Sequence, residues 1–243
     1  MRVLVIDAGN SRIKWGYAED GRWARLAWVA TADAPTLGAA LRDIAGVDRV
    51  AISNVAGPAV ARDIAAGLLR LHPAPLWIKS VEEECGVRSG YDDPAQLGSD
   101  RWAALIGAWH LFGGPCVVVN VGTTMTVDAL TGDGVFVGGM IVPGVDLMCR
   151  ALAENTAQLK VQGGSFAYFP ARTGDAVMSG AINALAGAVE RMVRFLAETG
   201  EADPLVALSG GGAEALAPRL GGRVEVVENL VLEGLIRIVQ EAG

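Results

Sequence analysis

Histidine and cysteine are scarce in this chain, at two and three residues among 243. His72 and His110 lie far apart, Cys85, Cys116 and Cys149 are scattered, and no C-x-x-C occurs. A disulfide framework and a Cys/His zinc site are therefore not expected, and reduced thiols in a core fit a cytoplasmic protein. Charge is also sparse, with 19% charged residues, a formal net charge of −7 and a pI near 4.9. No run of five or more basic residues appears. A chain without a basic face is a poor nucleic-acid binder, because phosphate contacts need clustered Lys and Arg. A long uninterrupted apolar run is missing too. The best candidate, Trp102 to Val119, is cut by Gly113-Gly114-Pro115, which leaves a buried helix followed by a buried strand and not a membrane span. The N-terminal run Val3–Ile6 meets Asp7 at once and is too short for a signal segment.

What is abundant is apolar: 51% of residues are hydrophobic and 32 are glycine, as in an α/β interior with tight turns. Periodicity predicts strands at Arg2–Asp7, Arg12–Ala18 and Arg22–Ala30, then a helix over Ala34–Ile44. A strand at Val50–Ser53, a helix over Pro58–Leu69 and a strand at Leu76–Lys79 follow. The second half opens in the same way, with strands at Cys116–Asn120, Met125–Leu130 and Val135–Val142. At a constant offset of 113 positions Asp7 falls on Asn120, Gly9 on Gly122, Ser11 on Thr124 and Gly21 on Gly134. Val50-Ala51-Ile52-Ser53 is echoed by Val206-Ala207-Leu208-Ser209. A register shared through a glycine turn and a hairpin points to internal duplication. The expected fold is α/β, with two similar domains at 1–114 and 115–243 facing one another over a cleft that holds both glycine turns.

Between the first two strands, Gly9-Asn10-Ser11 forms a turn where successive N–H groups and small polar side chains can cradle phosphate. Gly9 is expected to supply a positive φ or a close approach of ligand to backbone. Asp7, ending a buried strand, could hold a hydrated Mg²⁺, and Lys14 could neutralise a transferred phosphoryl group. The alternative is an ordinary hairpin turn, weakened by the second copy at Gly122-Thr123-Thr124. A third glycine stretch, Ser209–Gly212, precedes a helix expected over Ala213–Leu220 and could seat an adenosine. On the acceptor side, Tyr91-Asp92-Asp93-Pro94 leads into Gly98-Ser99-Asp100-Arg101 and an apolar helix. From the residues alone Asp100 reads first as a helix cap or first-turn acid, a place Ser99 could equally take; its functional reading is a general base. Arg101 offers a planar fork for a carboxylate or amide, or a surface ion pair.

With these motifs in order, the chain resembles the bacterial type III pantothenate kinases, of the actin-like and sugar-kinase superfamily with a duplicated RNase H-like fold. The resemblance runs through Asp7-Ala8-Gly9-Asn10-Ser11 with Lys14, Tyr91 with Pro94, Gly98–Arg101 and Gly122-Thr123 with Asp128. It continues through Gly138-Gly139 with Pro143-Gly144, Thr173 with Ala176 and Gly180, and Ser209–Gly211. It implies ATP-dependent phosphorylation of the terminal hydroxyl of pantothenate, the first step toward coenzyme A. Asp7, Ala8, Gly9, Asn10, Ser11, Arg12, Ile13, Lys14 and Thr123 would bind ATP with Mg²⁺. Tyr91, Gly98, Ser99, Asp100 and Arg101 would bind pantothenate, with Asp100 as the proton acceptor. Thr173 would complete the pocket from a neighbouring subunit of a homodimer, with the helix Asp175–Leu196 as interface or core.

One position departs from the family pattern. An aspartate that ligates activating K⁺ or NH₄⁺ is usual where this chain has Asn120, so a weaker K⁺ dependence is expected. Asp128 is the nearest carboxylate that could compensate; a hairpin-end turn acid is the alternative. Two other functions use the same motifs: a superfamily phosphohydrolase of the exopolyphosphatase kind, and a non-catalytic transcription accessory relative.

Overall fold

The computed structural model describes residues 1–71, 74–157, 159 and 163–241; His72 lies outside them. The chain divides into two compact units, one of Met1–Gly113 joined by the segment from Asn229 onward, the other of Gly114–Glu228.

The first unit opens with β1 (Arg2–Ala8), β2 (Arg12–Glu19) and β3 (Arg22–Ala30), followed by a 3-10 segment Thr31–Thr36 and the one-turn helix α1 (Leu37–Ala40). Then come β4 (Arg49–Asn54), α2 (Pro58–Gly67), β5 (Leu76–Trp77), the small hairpin β6 (Glu83–Glu84) and β7 (Val87–Ser89), and α3 (Ser99–Phe112). Five strands form a sheet in the order β3-β2-β1-β4-β5, antiparallel on one side of β1 and parallel on the other. Val3, Leu4, Val5 and Ile6 are all buried, as a central strand covered on both faces requires. The helix expected over Ala34–Ile44 is reduced to a 3-10 turn and four α-residues.

The second unit contains β8 (Cys116–Val121), β9 (Thr124–Leu130), β10 (Val135–Pro143), α4 (Val145–Asn155), α5 (Thr173–Glu198), β11 (Leu205–Ser209), α6 (Ala213–Leu216) and β12 (Val224–Val226). Its strands run in the order β12-β11-β8-β9-β10, the same pattern of pairing directions as in the first unit. Ile182, Leu185, Val189 and Leu196 of α5 pack into its core beside Val117, Val119 and Leu208.

The last helix, α7 (Leu230–Glu241), corrects the expected boundary, which assigned everything after residue 114 to the second domain. It packs on α3 at a crossing of two glycines. A Cβ on Gly234 would lie 1.7 Å from the Ala103 carbonyl oxygen, and one on Gly107 would lie 2.5 Å from that of Leu230. The Trp23 indole N–H donates to Glu233 at 2.7 Å, and the Arg49 guanidinium donates to the Val239 carbonyl at 3.3 Å.

The constant offset also needs correction at the rung level. In the first hairpin Asp7 pairs with Lys14 and Ala8 with Ile13; in the second Asn120 pairs with Thr126 and Val121 with Met125. The second glycine turn is one residue shorter. The following turn restores the count, since Glu19 pairs with Arg22 but Leu130 with Phe136.

Candidate active site

Asp7 sits one residue from the end of β1, flanked on its rung by Lys14 of β2 and Ser53 of β4. Neighbours on a rung share a face of the sheet, so the three side chains stand in a row. Asp7 Oδ1 is shut off from solvent and has no hydrogen-bond partner among the described residues. Burial, reinforced by the charge of Asp100 and opposed by Lys14, pushes the Asp7 carboxyl up to about 7. A buried carboxylate oxygen without a donor is costly unless something outside the protein completes it. A cation fits that vacancy in the hydrogen-bonding scheme, and the single carboxylate suits a Mg²⁺ that keeps its waters. Among the described residues no group of three or more His, Cys, Asp or Glu could hold a metal by itself.

The turn beyond Asp7 is closed by the Gly9 N–H donating to the Arg12 carbonyl at 3.0 Å. Thr31 braces it from the side, its hydroxyl donating to the Gly9 carbonyl at 2.7 Å and its N–H to the Ser11 carbonyl at 3.1 Å. The sequence allowed a positive φ at Gly9, and the backbone does not adopt one. A Cβ there would meet only the Arg12 carbonyl oxygen, at an ordinary 3.4 Å. Neither strain nor packing demands glycine at this position, which leaves close approach of a ligand as its physical rationale. Asn10, Ser11 and Arg12 are exposed, whereas the side chains of Ala8 and Ile13 are wholly buried in the core. A ligand could therefore reach those two only through their backbone.

The N-cap of α3 is Gly98, with no side-chain capping bond. Neither Ser99 nor Asp100 is the cap: Ser99 shares a buried 2.9 Å hydrogen bond with Ser53, and Asp100 lies in the first turn. Asp100 Oδ1 accepts the Arg101 N–H at 2.8 Å, and burial still raises its pKa against that stabilisation. Gly98 is explained by this carboxylate, since a Cβ at 98 would lie 2.6 Å from Asp100 Oδ1. Arg101 is buried and donates to the Tyr91 hydroxyl at 3.3 Å, which brings together two of the residues expected on the acceptor side. Trp102 anchors the helix by donating to Glu84 of β6 at 2.8 Å.

In the first unit, then, Asp7, Lys14, Asp100, Arg101 and Tyr91 form a connected set through rung pairing, hydrogen bonding and carboxylate repulsion. Ser53, on the Asp7 rung and bonded to Ser99, belongs to the set as well. Its repeat with Ser209 was the signal that could have marked it.

The second unit carries its own glycine turn. Gly122 N–H donates to the Thr124 carbonyl at 3.0 Å, and Gly144 N–H donates to the Thr123 carbonyl at 2.9 Å. A Cβ on Gly144 would fall 2.3 Å from the Gly122 carbonyl oxygen, which accounts for the glycine of the Pro-Gly pair. Gly138, at φ 131°, makes the bulge in β10. Ser209 pairs with Asn120, and Gly210 at φ 95° would place a Cβ 2.6 Å from Asn120 Oδ1. The third glycine stretch thus packs on the second turn. Asp128 is not at a hairpin end: it is 1% exposed, mid-strand, on the face shared by Thr126 and Asn120. Thr173 is the exposed first residue of α5.

Comparison with known proteins adds to this geometry. Residues 3–195 match the family model described as type III pantothenate kinase. A type III pantothenate kinase of Nitrosospira multiformis is 46% identical over 99% of this chain and 92% of its own length. One of Aromatoleum aromaticum is 48% identical, covering 98% of each. Two solved structures share the actin-like fold. A Campylobacter jejuni protein proposed to be a Baf family transcriptional activator has TM-score 0.61 and 20% identity over 98% of each chain. A Sinorhizobium meliloti protein proposed to be a 2-dehydro-3-deoxygalactonokinase has TM-score 0.60 and 18% identity over 99% of each. With the family model spanning most of its length and near-full-length relatives above 40% identity, the chain belongs to the type III pantothenate kinase family.

Proposed function

We infer that the protein phosphorylates pantothenate with ATP, the entry reaction of coenzyme A biosynthesis. The observation that carries the residue assignment is the pairing of two carboxyls, Asp7 and Asp100, both raised by burial and one raised further by the other. Environments that shift acid groups toward neutrality are the usual setting of general acid–base work. Asp100 is assigned as the base. It takes the proton from the terminal hydroxyl of pantothenate as that oxygen bonds to the γ-phosphorus and the bond to ADP breaks. Arg101 and Tyr91, held together by their hydrogen bond, are assigned to orient pantothenate, with Gly98 leaving room for the Asp100 carboxylate.

Asp7 is assigned to hold Mg²⁺, which when bound with ATP offsets negative charge on the phosphates. The backbone from Ala8 to Ile13, with Asn10, Ser11, Arg12 and Lys14, is assigned to ATP, as is Thr123 in the second unit. The reading extends to a homodimer in which Thr173 of one copy serves the pantothenate site of the other, and to a cytoplasmic location. Among the described residues no helix is long and apolar enough to cross a membrane. A K⁺ or NH₄⁺ requirement is expected to be weak, because Asn120 offers a carbonyl oxygen without a charge.

A coupled assay tests the assignment: ADP release must require pantothenate, and Asp100→Asn must lose turnover while ATP still binds. Steady ADP release without pantothenate would favour a hydrolase instead.

A further inference from the structure

Arg12 and Trp28 stand apart from the rest of the first unit's surface. The Arg12 guanidinium lies over the Trp28 indole, 4.4 Å from the ring centroid, and Trp28 is 54% exposed. Large exposed indoles are uncommon on a strand face unless they cover something or meet a ligand. The register explains the position. Trp28 pairs with Lys14, which pairs with Asp7, so one rung carries Ser53, Asp7, Lys14 and Trp28 across four strands. Arg12, two residues from Lys14 on the same face, ends the glycine turn, its carbonyl accepting the Gly9 N–H. Among the described residues no carboxylate pairs with Arg12. A guanidinium held over an indole can still present its in-plane N–H groups, the edge that meets phosphate oxygens in a fork.

We propose that Trp28 is a positioning residue for the nucleotide, its indole holding the Arg12 guanidinium beside the turn so that Arg12 engages the phosphates of ATP. This rests on the assignment of Gly9 to Lys14 as the phosphate turn. An unstacked arginine on an exposed hairpin samples many rotamers, and each binding event must order it. The stack supplies that order beforehand. Trp28 therefore acts on ATP affinity and not on the chemical step.

The test is steady-state kinetics on the full chain, with ATP varied at saturating pantothenate. Trp28→Ala should raise KM for ATP about two- to fivefold with kcat little changed, and Trp28→Phe should restore most of the loss. Arg12→Ala should raise KM about tenfold or more. The double variant should match Arg12→Ala alone, because the indole acts only through the guanidinium. An unchanged KM for Trp28→Ala, or additive effects in the double variant, would overturn the proposal. Lys14→Ala separates the two levels of the argument. If it raises KM for ATP while Arg12→Ala and Trp28→Ala do not, only the Trp28 inference fails. If it leaves KM unaltered as well, the phosphate-turn reading fails. Should Trp28→Ala not fold, Trp28→Leu carries the same comparison.

Discussion

The two glycine turns share a topology and differ in what they hold. The first places the carboxylate of Asp7 opposite a lysine, with its Oδ1 shut off from solvent and without a donor among the described residues. The second places the neutral Asn120 opposite Thr126 and is one residue shorter. Beside it, Gly144 and Gly210 are fixed by packing: they lie against the carbonyls of Gly122 and Val121, where a Cβ would come within 2.4 Å. Gly9 of the first turn and Gly122 of the second are under no such constraint. One turn is thus charged, and the other neutral and flanked by two clamped glycines. On the proposed reading, the metal and the proton chemistry belong to the first unit and the second has a supporting role.

The comparison can be broken most forcefully at the chemistry. Asp100→Asn should lower kcat about 10²- to 10⁴-fold with ADP binding retained in a calorimetric titration. For the wild type, kcat should rise with pH as Asp100 loses its proton, and the raised pKa moves that rise above the ordinary carboxylate range. Asp7→Asn makes the first turn resemble the second. Activity should fall about a hundredfold, and stability should change in the opposite direction. The Asp7 carboxyl titrates at about 7 when folded against 3.8 in the free side chain. The native state therefore binds more protons across that window, and wild-type stability declines from about pH 4 to pH 7. The gain in Tm for Asp7→Asn should thus be largest above pH 7 and vanish near pH 4; a uniform gain would remove burial as its cause.

Gly210→Ala tests the clamp. At φ 95° and against the Val121 carbonyl it should cost about 2 kcal/mol or more in denaturant unfolding. Asn120→Asp sharpens the comparison by restoring charge to the second turn. It should increase K⁺ activation severalfold, whereas a steep K⁺ response in the wild type that Asn120→Ala abolishes would contradict the assignment. The smallest effect belongs to Gly9→Ala. Its stability should stay within about 0.5 kcal/mol of wild type while KM for ATP rises, the split expected when a glycine serves a ligand and not the fold.

Local features were legible in the sequence. The Asp7–Lys14 turn, the Gly98–Arg101 block and most strands carry their own turn residues and periodicity. Non-local ones were not. Ser53 reaches Asp7 only through parallel pairing of β1 with β4, which no neighbouring residue announces. The one-residue difference between the turns is hidden because the next hairpin compensates for it. β6 and β7 are too short for any alternation to register. The apolar stripe of α7 gives a helix without saying which core receives it. At Asp100, spacing alone favoured the cap, and Gly98 overturns that by taking the place itself.

The return of α7 to the first unit has a consequence for synthesis. A ribosome releases Met1–Gly113, then the whole of Gly114–Glu228, before the helix that seals the α3 face emerges. The second unit is continuous and can fold as it appears, whereas the first waits with Gly107 uncovered. Nascent chains stalled before Leu230 should therefore be protease-resistant in the second unit and nicked in the first. The unit assigned the catalytic carboxylates would be the last to become native.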